Sequence, residues 1–111
     1  MKRDYKLYLQ DIKKSINQIE SYLKGISQVE FNKNLMLQDA VIRRLEIIGE
    51  ASKNIPGSLK EKNRHVPWIR MQNYRDFIIH SYFEASLSRI WVVATKEIKE
   101  IKEAMKNIIL V

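Results

Sequence analysis

Apolar residues recur at steps of three and four along most of this chain. From Tyr5 they fall at Leu9, Ile12, Ile16, Ile19, Leu23 and Ile26, which keeps one seam on one face of a helix. Lys13, Lys14, Asn17, Gln18 and Lys24 lie between them as the solvated face. The pattern predicts a first helix over Asp4–Gly25, with Gly25 as its stop. Ser27-Gln28-Val29-Glu30 has capping-box spacing and predicts one further helical turn.

A second helix is predicted from about Asn34 to Asn54, closed by Pro56-Gly57. It carries two apolar rows, Leu37-Val41-Leu45-Ile48 and Met36-Ala40-Ile47-Ala51, so it should pack on more than one side. Gly49 sits in mid-helix, where glycine costs about 1 kcal/mol relative to alanine. Its presence there predicts the close approach of another helix. Glu50 beside it is expected to be partly buried and to need a basic partner, for which Arg75 is the candidate.

Residues 57–66 read as a polar connector with room for one short helical turn, and His65 within it reads as a solvated loop histidine. Pro67 suits the first position of a third helix that runs to about Tyr82, with Trp68 and Ile69 packing just after it. The last helix is predicted over Leu87–Ile109, capped by Ser86 or Ser88. There Trp91, Ala94, Ile98, Ile101, Met105 and Ile108 repeat the three-four step, while Lys96/Glu100 and Lys99/Glu103 pair at i,i+4 on the outside. Four helices with short polar connectors predict an all-α, antiparallel four-helix bundle with short extra helical turns. No strand-period pattern, glycine-rich phosphate loop or internal repeat competes with that reading.

Composition narrows the picture. At 111 residues the chain is expected to form a single domain over residues 1–111. It has no cysteine, which removes disulfides and thiolate metal sites. Its two histidines, His65 and His80, do not make a His-rich zinc site, and no metal or other cofactor is expected. The N-terminus is charged and periodic from the start, unlike a signal peptide, and no apolar run approaches the roughly 20 residues of a membrane span. The expectation is a soluble cytoplasmic protein. A formal charge of +7, from 20 basic and 13 acidic residues, suits a polyanionic partner such as RNA.

The candidate chemistry lies in Tyr74-Arg75-Asp76-Phe77-Ile78-Ile79-His80-Ser81-Tyr82-Phe83. At 100° per residue Asp76 and His80 are about 40° apart, and His80 and Arg75 about 140° apart, so the last two flank one face. A carboxylate one turn before a histidine can orient its ring, and arginine is long enough to reach the same phosphate. One copy holds a single such histidine, whereas a two-step acid–base cleavage usually uses two groups. The spacing therefore hints at a composite site across a two-fold axis. The same segment can also be read as an amphipathic helix with a capped histidine near its C-terminus.

Arg75-x4-His80-x-Tyr82 resembles the R-x4-H-x-Y motif of the HepT-like toxins, a branch of the HEPN superfamily. Asp39-Ala40-Val41 through Ile48-Gly49-Glu50-Ala51 is similar to the family's second helix, Val66-Pro67-Trp68 to its entry to the motif helix, and Ile90-Trp91 matches in kind and spacing. The resemblance spans essentially the whole chain and is weakest in the first helix. It implies a HEPN-type bundle that forms a homodimer, with both motifs lining one cleft. It implies a metal-independent ribonuclease acting as the toxin of a toxin–antitoxin pair, whose antitoxin is a minimal nucleotidyltransferase that transfers AMP to the motif tyrosine. By position, Arg75 and His80 become the catalytic pair and Tyr82 the modified residue. Asp76, in the polar position after the arginine, takes the substrate-orienting role. The family more often has asparagine there, so Asp76 adds a negative charge near the phosphate site, and Ser81 stands where glycine is common. Two other readings remain open: a non-catalytic HEPN module that binds a nucleotidyltransferase or a nucleotide, and a purely structural helical dimer.

Overall fold

The computed structural model describes residues 3–84 and 86–110, with the backbone alone for residues 80–84. The first helix, α1 (Tyr5–Leu23), begins where the Asp4 side chain accepts a hydrogen bond from the Lys6 amide and buries the predicted seam of Leu9, Ile12, Ile16, Ile19 and Leu23. The chain then turns through Gly25, whose φ of 73° is a left-handed conformation that glycine adopts without strain. Next comes α2 (Gln28–Asn32), and both halves of the capping box are formed. The Glu30 amide donates to Ser27 Oγ at 3.1 Å, and the Ser27 amide donates to Glu30 Oε1 at 3.0 Å. The Ser27 amide first, and the Ser27 hydroxyl after it, hold the Glu30 carboxyl below its ordinary pKa. The helix is short because its role is to seat Phe31, which is fully buried with its ring 5.4 Å from that of Trp91.

Asn34 caps α3 (Leu35–Lys53), the central helix. Val41, Leu45, Ile48 and Ala51 are buried, while Met36 at the helix start is exposed. The two apolar rows are thus covered chiefly in the C-terminal part, where α3 meets α1, α5 and α6. The buried Gln38 amide donates to the carbonyls of Phe31 and Asn32, closing the end of α2 against α3.

The polar connector is more structured than its composition suggests. It folds into α4 (Gly57–Lys62), followed by Asn63, which is fully buried. Asn63 Nδ2 donates to the carbonyls of Leu59 and Ile109, both at 2.8 Å, and its Oδ1 accepts from the Ile109 amide at 2.6 Å. Its backbone carbonyl accepts the indole N–H of Trp68 at 3.0 Å. A single asparagine therefore joins the connector, the C-terminal strap and the start of the next helix. His65 is exposed as expected, with Nε2 3.0 Å from the carbonyl oxygen of Ala104.

The expected third helix is two helices, α5 (Trp68–Gln72) and α6 (Tyr74–Glu84), separated at Asn73. Pro67 precedes the first helical residue and occupies the cap position, because Trp68 is held by Val66 and Asn63 through its amide and indole nitrogens. Met71, Tyr74 and Ile78 keep one buried three-four seam across the break. The last helix is α7 (Leu87–Val92), a π-helical turn over Val93–Glu97 and α8 (Ile98–Met105), in continuous succession. The Thr95 hydroxyl donates to the carbonyl of Trp91 at 2.6 Å in the widened turn, the back-bond that loosens an α-helix. This helix ends at Met105, short of the expected Ile109, because Asn63 claims the backbone of Ile109. Ser86 stands at the N-cap position of α7 without a side-chain cap bond. On the outer face Glu100 pairs with Arg70 and Glu103 with Lys106, in place of the expected pairs with Lys96 and Lys99.

The architecture is an all-α bundle with no strand among the described residues, and its core runs through every layer from Ile12 and Ile19 to Leu45, Met71, Ile98 and Ile101. No described helix is long and apolar enough to cross a membrane.

Candidate active site

The N-terminal half of α1 lies against the C-terminal half of α3, so the two run antiparallel, and between them opens a cleft of about 510 Å³. From α1 and the residues just before it, Arg3, Tyr8, Asp11, Lys14 and Ser15 face the opening. The α3 wall supplies Arg43, Arg44, Glu46, Ile47, Glu50 and Ala51. At the edge, reaching across from α6, is Arg75.

Gly49 brings Arg75 to that edge. A Cβ built on Gly49 would stand 3.1 Å from the backbone nitrogen of Arg75, 3.3 Å from the carbonyl oxygen of Met71 and 3.4 Å from Arg75 Cβ. The contact is backbone against backbone, so the start of α6 rests directly on α3. One residue further along α3, Glu50 Oε2 accepts from Arg75 Nη1 at 3.0 Å. The pairing expected from the sequence is present. The expected burial of Glu50 is not: its side chain is 58% exposed and that of Arg75 is 49% exposed. The cause is that Gly49, not Glu50, occupies the tight crossing, and the carboxylate emerges into the cleft. A pair this open to water contributes little stability, about 0–1 kcal/mol. It fixes where the guanidinium points and leaves its remaining donors available to a ligand.

The α6 backbone carries Arg75, Asp76, His80 and Tyr82 on one unbroken helix. At 1.5 Å per residue, the five steps from Arg75 to His80 amount to about 7.5 Å along the axis. Asp76 is exposed. The side chains of His80 and Tyr82 lie outside the described residues, and so do those of Ser81 and Phe83. Among the described residues no group of three or more histidine, aspartate or glutamate side chains converges as a metal-binding set.

Tyr74, the residue before Arg75, was not singled out from the sequence and proves to be the anchor of this helix end. It is buried, and its hydroxyl donates to Glu97 Oε1 at 2.9 Å in the π-helical turn. Burial, and then the neighbouring Glu97 carboxylate, push its phenol pKa well above the ordinary value. Arg70 joins the same cluster through Glu97 and Glu100, at 3.9 and 3.3 Å. The cleft-side basic residues Lys14, Arg43 and Arg44 were likewise missed as a group. They lie 29 to 30 positions apart in the chain and meet only because α1 and α3 are antiparallel.

An all-helical bundle in which an R-x4-H-x-Y helix meets a mid-helix glycine, with its arginine at the mouth of a basic cleft, defines a HEPN-type fold. The profile of the ribonuclease HepT-like family matches residues 12–108, and the chain belongs to that family. It is 44% identical over 108 residues to a Methanocaldococcus jannaschii protein whose name joins a gamma-glutamylcyclotransferase to a proposed RNase, a match covering 97% of this chain and 49% of that one. It is 42% identical over 102 residues to a Thermococcus cleftensis protein named as a probable ribonuclease HepT, covering 92% of this chain and 93% of the relative. A Caldanaerobacter subterraneus protein named as a proposed RNase is 40% identical over 102 residues, covering 92% of this chain and 91% of its own. This chain thus spans about half of the first relative and nearly all of the other two. No solved structure matches it.

Proposed function

We propose that the protein is a metal-independent endoribonuclease, the toxin of a two-component toxin–antitoxin system, working as a homodimer in the cytoplasm. The observation that carries this reading is the seating of Arg75. Its guanidinium is held by Glu50 at the edge of a basic cleft, half open to solvent, in a chain of the ribonuclease HepT-like family.

In this mechanism Arg75 binds the scissile phosphate and offsets the negative charge that builds on its oxygens. His80 takes the proton from the 2′-OH or returns one to the leaving 5′-oxygen, with the histidine of the second copy serving the complementary step. The attack of the 2′-oxygen on phosphorus breaks the P–O5′ bond and leaves a 2′,3′-cyclic phosphate and a 5′-hydroxyl. DNA, which has no 2′-OH, is not cut. Asp76 orients the histidine side of the site from one helical turn away. The exposed Ile69 of α5 and Ile79 of α6 give a second copy apolar surface to cover.

Control of the activity is assigned to Tyr82. AMP transferred to its hydroxyl by a nucleotidyltransferase antitoxin adds bulk and negative charge to the motif helix and repels RNA. The test is cleavage of RNA in excess EDTA by protein made without the nucleotidyltransferase. Cleavage that leaves cyclic phosphate ends supports the reading. Absence of cleavage by protein whose intact mass shows unmodified Tyr82 favours a non-catalytic module that binds the nucleotidyltransferase.

A further inference from the structure

The cleft holds more positive charge than the scissile phosphate calls for. Five cationic side chains line it against three carboxylates. Two of the cations are already engaged: Arg3 pairs with Asp11 at 2.6 Å and Arg75 with Glu50 at 3.0 Å. Lys14, Arg43 and Arg44 form no ion pair among the described residues, and they face only Glu46 as an uncommitted carboxylate. Unpaired cations gathered in a concave site raise the local concentration of anions.

A second observation points the same way. Ser15 is 1% exposed, lines this cleft, and its hydroxyl is the buried side-chain polar atom without a hydrogen-bond partner among the described residues. Buried hydroxyls are ordinarily satisfied, and this one is left without a partner among the residues that line the cleft. Distance decides which ligand. Arg43 and Arg44 lie six to seven residues before Glu50 on α3, about 10 Å along the helix axis from the level where Arg75 is held. A strand with phosphates in series spans that separation with one phosphate at each level.

We propose that the α1–α3 cleft seats a second phosphate of the RNA strand, flanking the one that Arg75 holds, with Lys14, Arg43 and Arg44 as its positioning residues. The inference rests on the ribonuclease reading for the identity of the strand. These residues do not touch the reacting atoms. They fix where the strand lies relative to the scissile bond, so their loss weakens binding without slowing the bound complex.

The test compares the parent with Arg43→Gln/Arg44→Gln, whose replaced side chains line the opening rather than the core, after a thermal melt shows that both are folded. Binding of a short 2′-O-methyl RNA, which cannot be cleaved for want of a free 2′-OH, is followed across a salt series. The variant is expected to bind about tenfold or more weakly, with the slope of log affinity against log salt reduced by about 1 to 2. On cleavable RNA its KM rises and its kcat is unchanged. Equal affinity and equal slope for parent and variant overturn the assignment of the cleft, whether or not the RNA is cut. Weakened binding with reduced slope, but no cleavage by the parent, upholds the cleft and overturns the ribonuclease reading instead. A fall in kcat equal to the fall in kcat/KM also overturns the proposal, because it places these arginines in the chemical step.

Discussion

A Cβ on Gly49 would lie 3.1 Å from the backbone nitrogen of Arg75, tighter than ordinary van der Waals contact, so any side chain there presses on the start of α6. In most helix interiors glycine to alanine stabilises by about 1 kcal/mol. Here the atoms in the way belong to the backbone of α5 and α6, which can yield only by moving a whole helix end. Gly49→Val is expected to cost about 1–3 kcal/mol, the range for overpacking, and to shift Arg75 away from Glu50. Urea denaturation of the variant checks the first part. RNA cleavage lowered beyond the loss of folded protein checks the second.

The Glu50–Arg75 pair gives a different signature. Both side chains are about half exposed, so Glu50→Gln should change stability by less than about 1 kcal/mol. The carboxylate is nonetheless an anion beside the proposed phosphate seats. Its neutralisation is expected to tighten binding of uncleavable RNA several-fold at low salt, with the gain shrinking as salt rises. Unchanged affinity at low salt would place the RNA elsewhere.

Asn63 is where a polar residue in the core contributes stability outright. Its side chain closes three hydrogen bonds, to Leu59 and to both backbone groups of Ile109, and it has no exposure to water. Asn63→Ala removes three hydrogen bonds, the one to Leu59 wholly buried, and should destabilise the protein by about 2–4 kcal/mol. The loss should appear with increased proteolysis of the C-terminal strap after Met105. RNA affinity per folded molecule should not change, since Asn63 does not line the α1–α3 cleft.

Tyr74 predicts a pH dependence at the alkaline end. Its folded pKa is raised, by burial first and by Glu97 second, so the phenol stays protonated in the folded chain where it ionises in the unfolded one. Its contribution is therefore complete below the unfolded value of about 10 and is lost progressively as pH rises beyond it. The melting temperature of the parent should fall more steeply above pH of about 10 than that of Tyr74→Phe, which has no phenol to ionise. Parallel curves for the two proteins would show that Tyr74 does not carry the effect. Below that range the variant should be modestly less stable, through loss of the bond to Glu97.

The elements that the sequence disclosed are those written in local patterns. The seam of α1, the capping box at Ser27 and Glu30, and the limits of α3 follow from period and cap chemistry. The meeting of Gly49 and Arg75 was legible because a glycine in mid-helix needs a reason. What the pattern hid was set by partners distant in the chain. The break at Asn73 carries no proline or glycine, and the buried seam continues across it. Residues 57–66 look solvated by composition, yet Asn63 in their midst is buried because Ile109 and Trp68 supply its partners. The π-helical turn and the early end of α8 depend on Thr95, Tyr74 and Asn63 in the same way. Of the candidate site, Arg75 was visible in the motif, and its partner Glu50 through its place beside Gly49. The basic cleft was not, since no local pattern records that Lys14 will face Arg43 and Arg44.

Arg75 and His80 are proposed to perform RNA cleavage without a metal. The most direct test is the cleavage of RNA in excess EDTA by unmodified parent protein, beside Arg75→Ala and His80→Ala variants shown by melting to be folded. The parent should leave cyclic phosphate ends, and each variant should lose at least about a hundredfold in rate, the scale of a removed charge-stabilising or acid–base group. Cleavage by either variant at the parental rate would contradict the proposal.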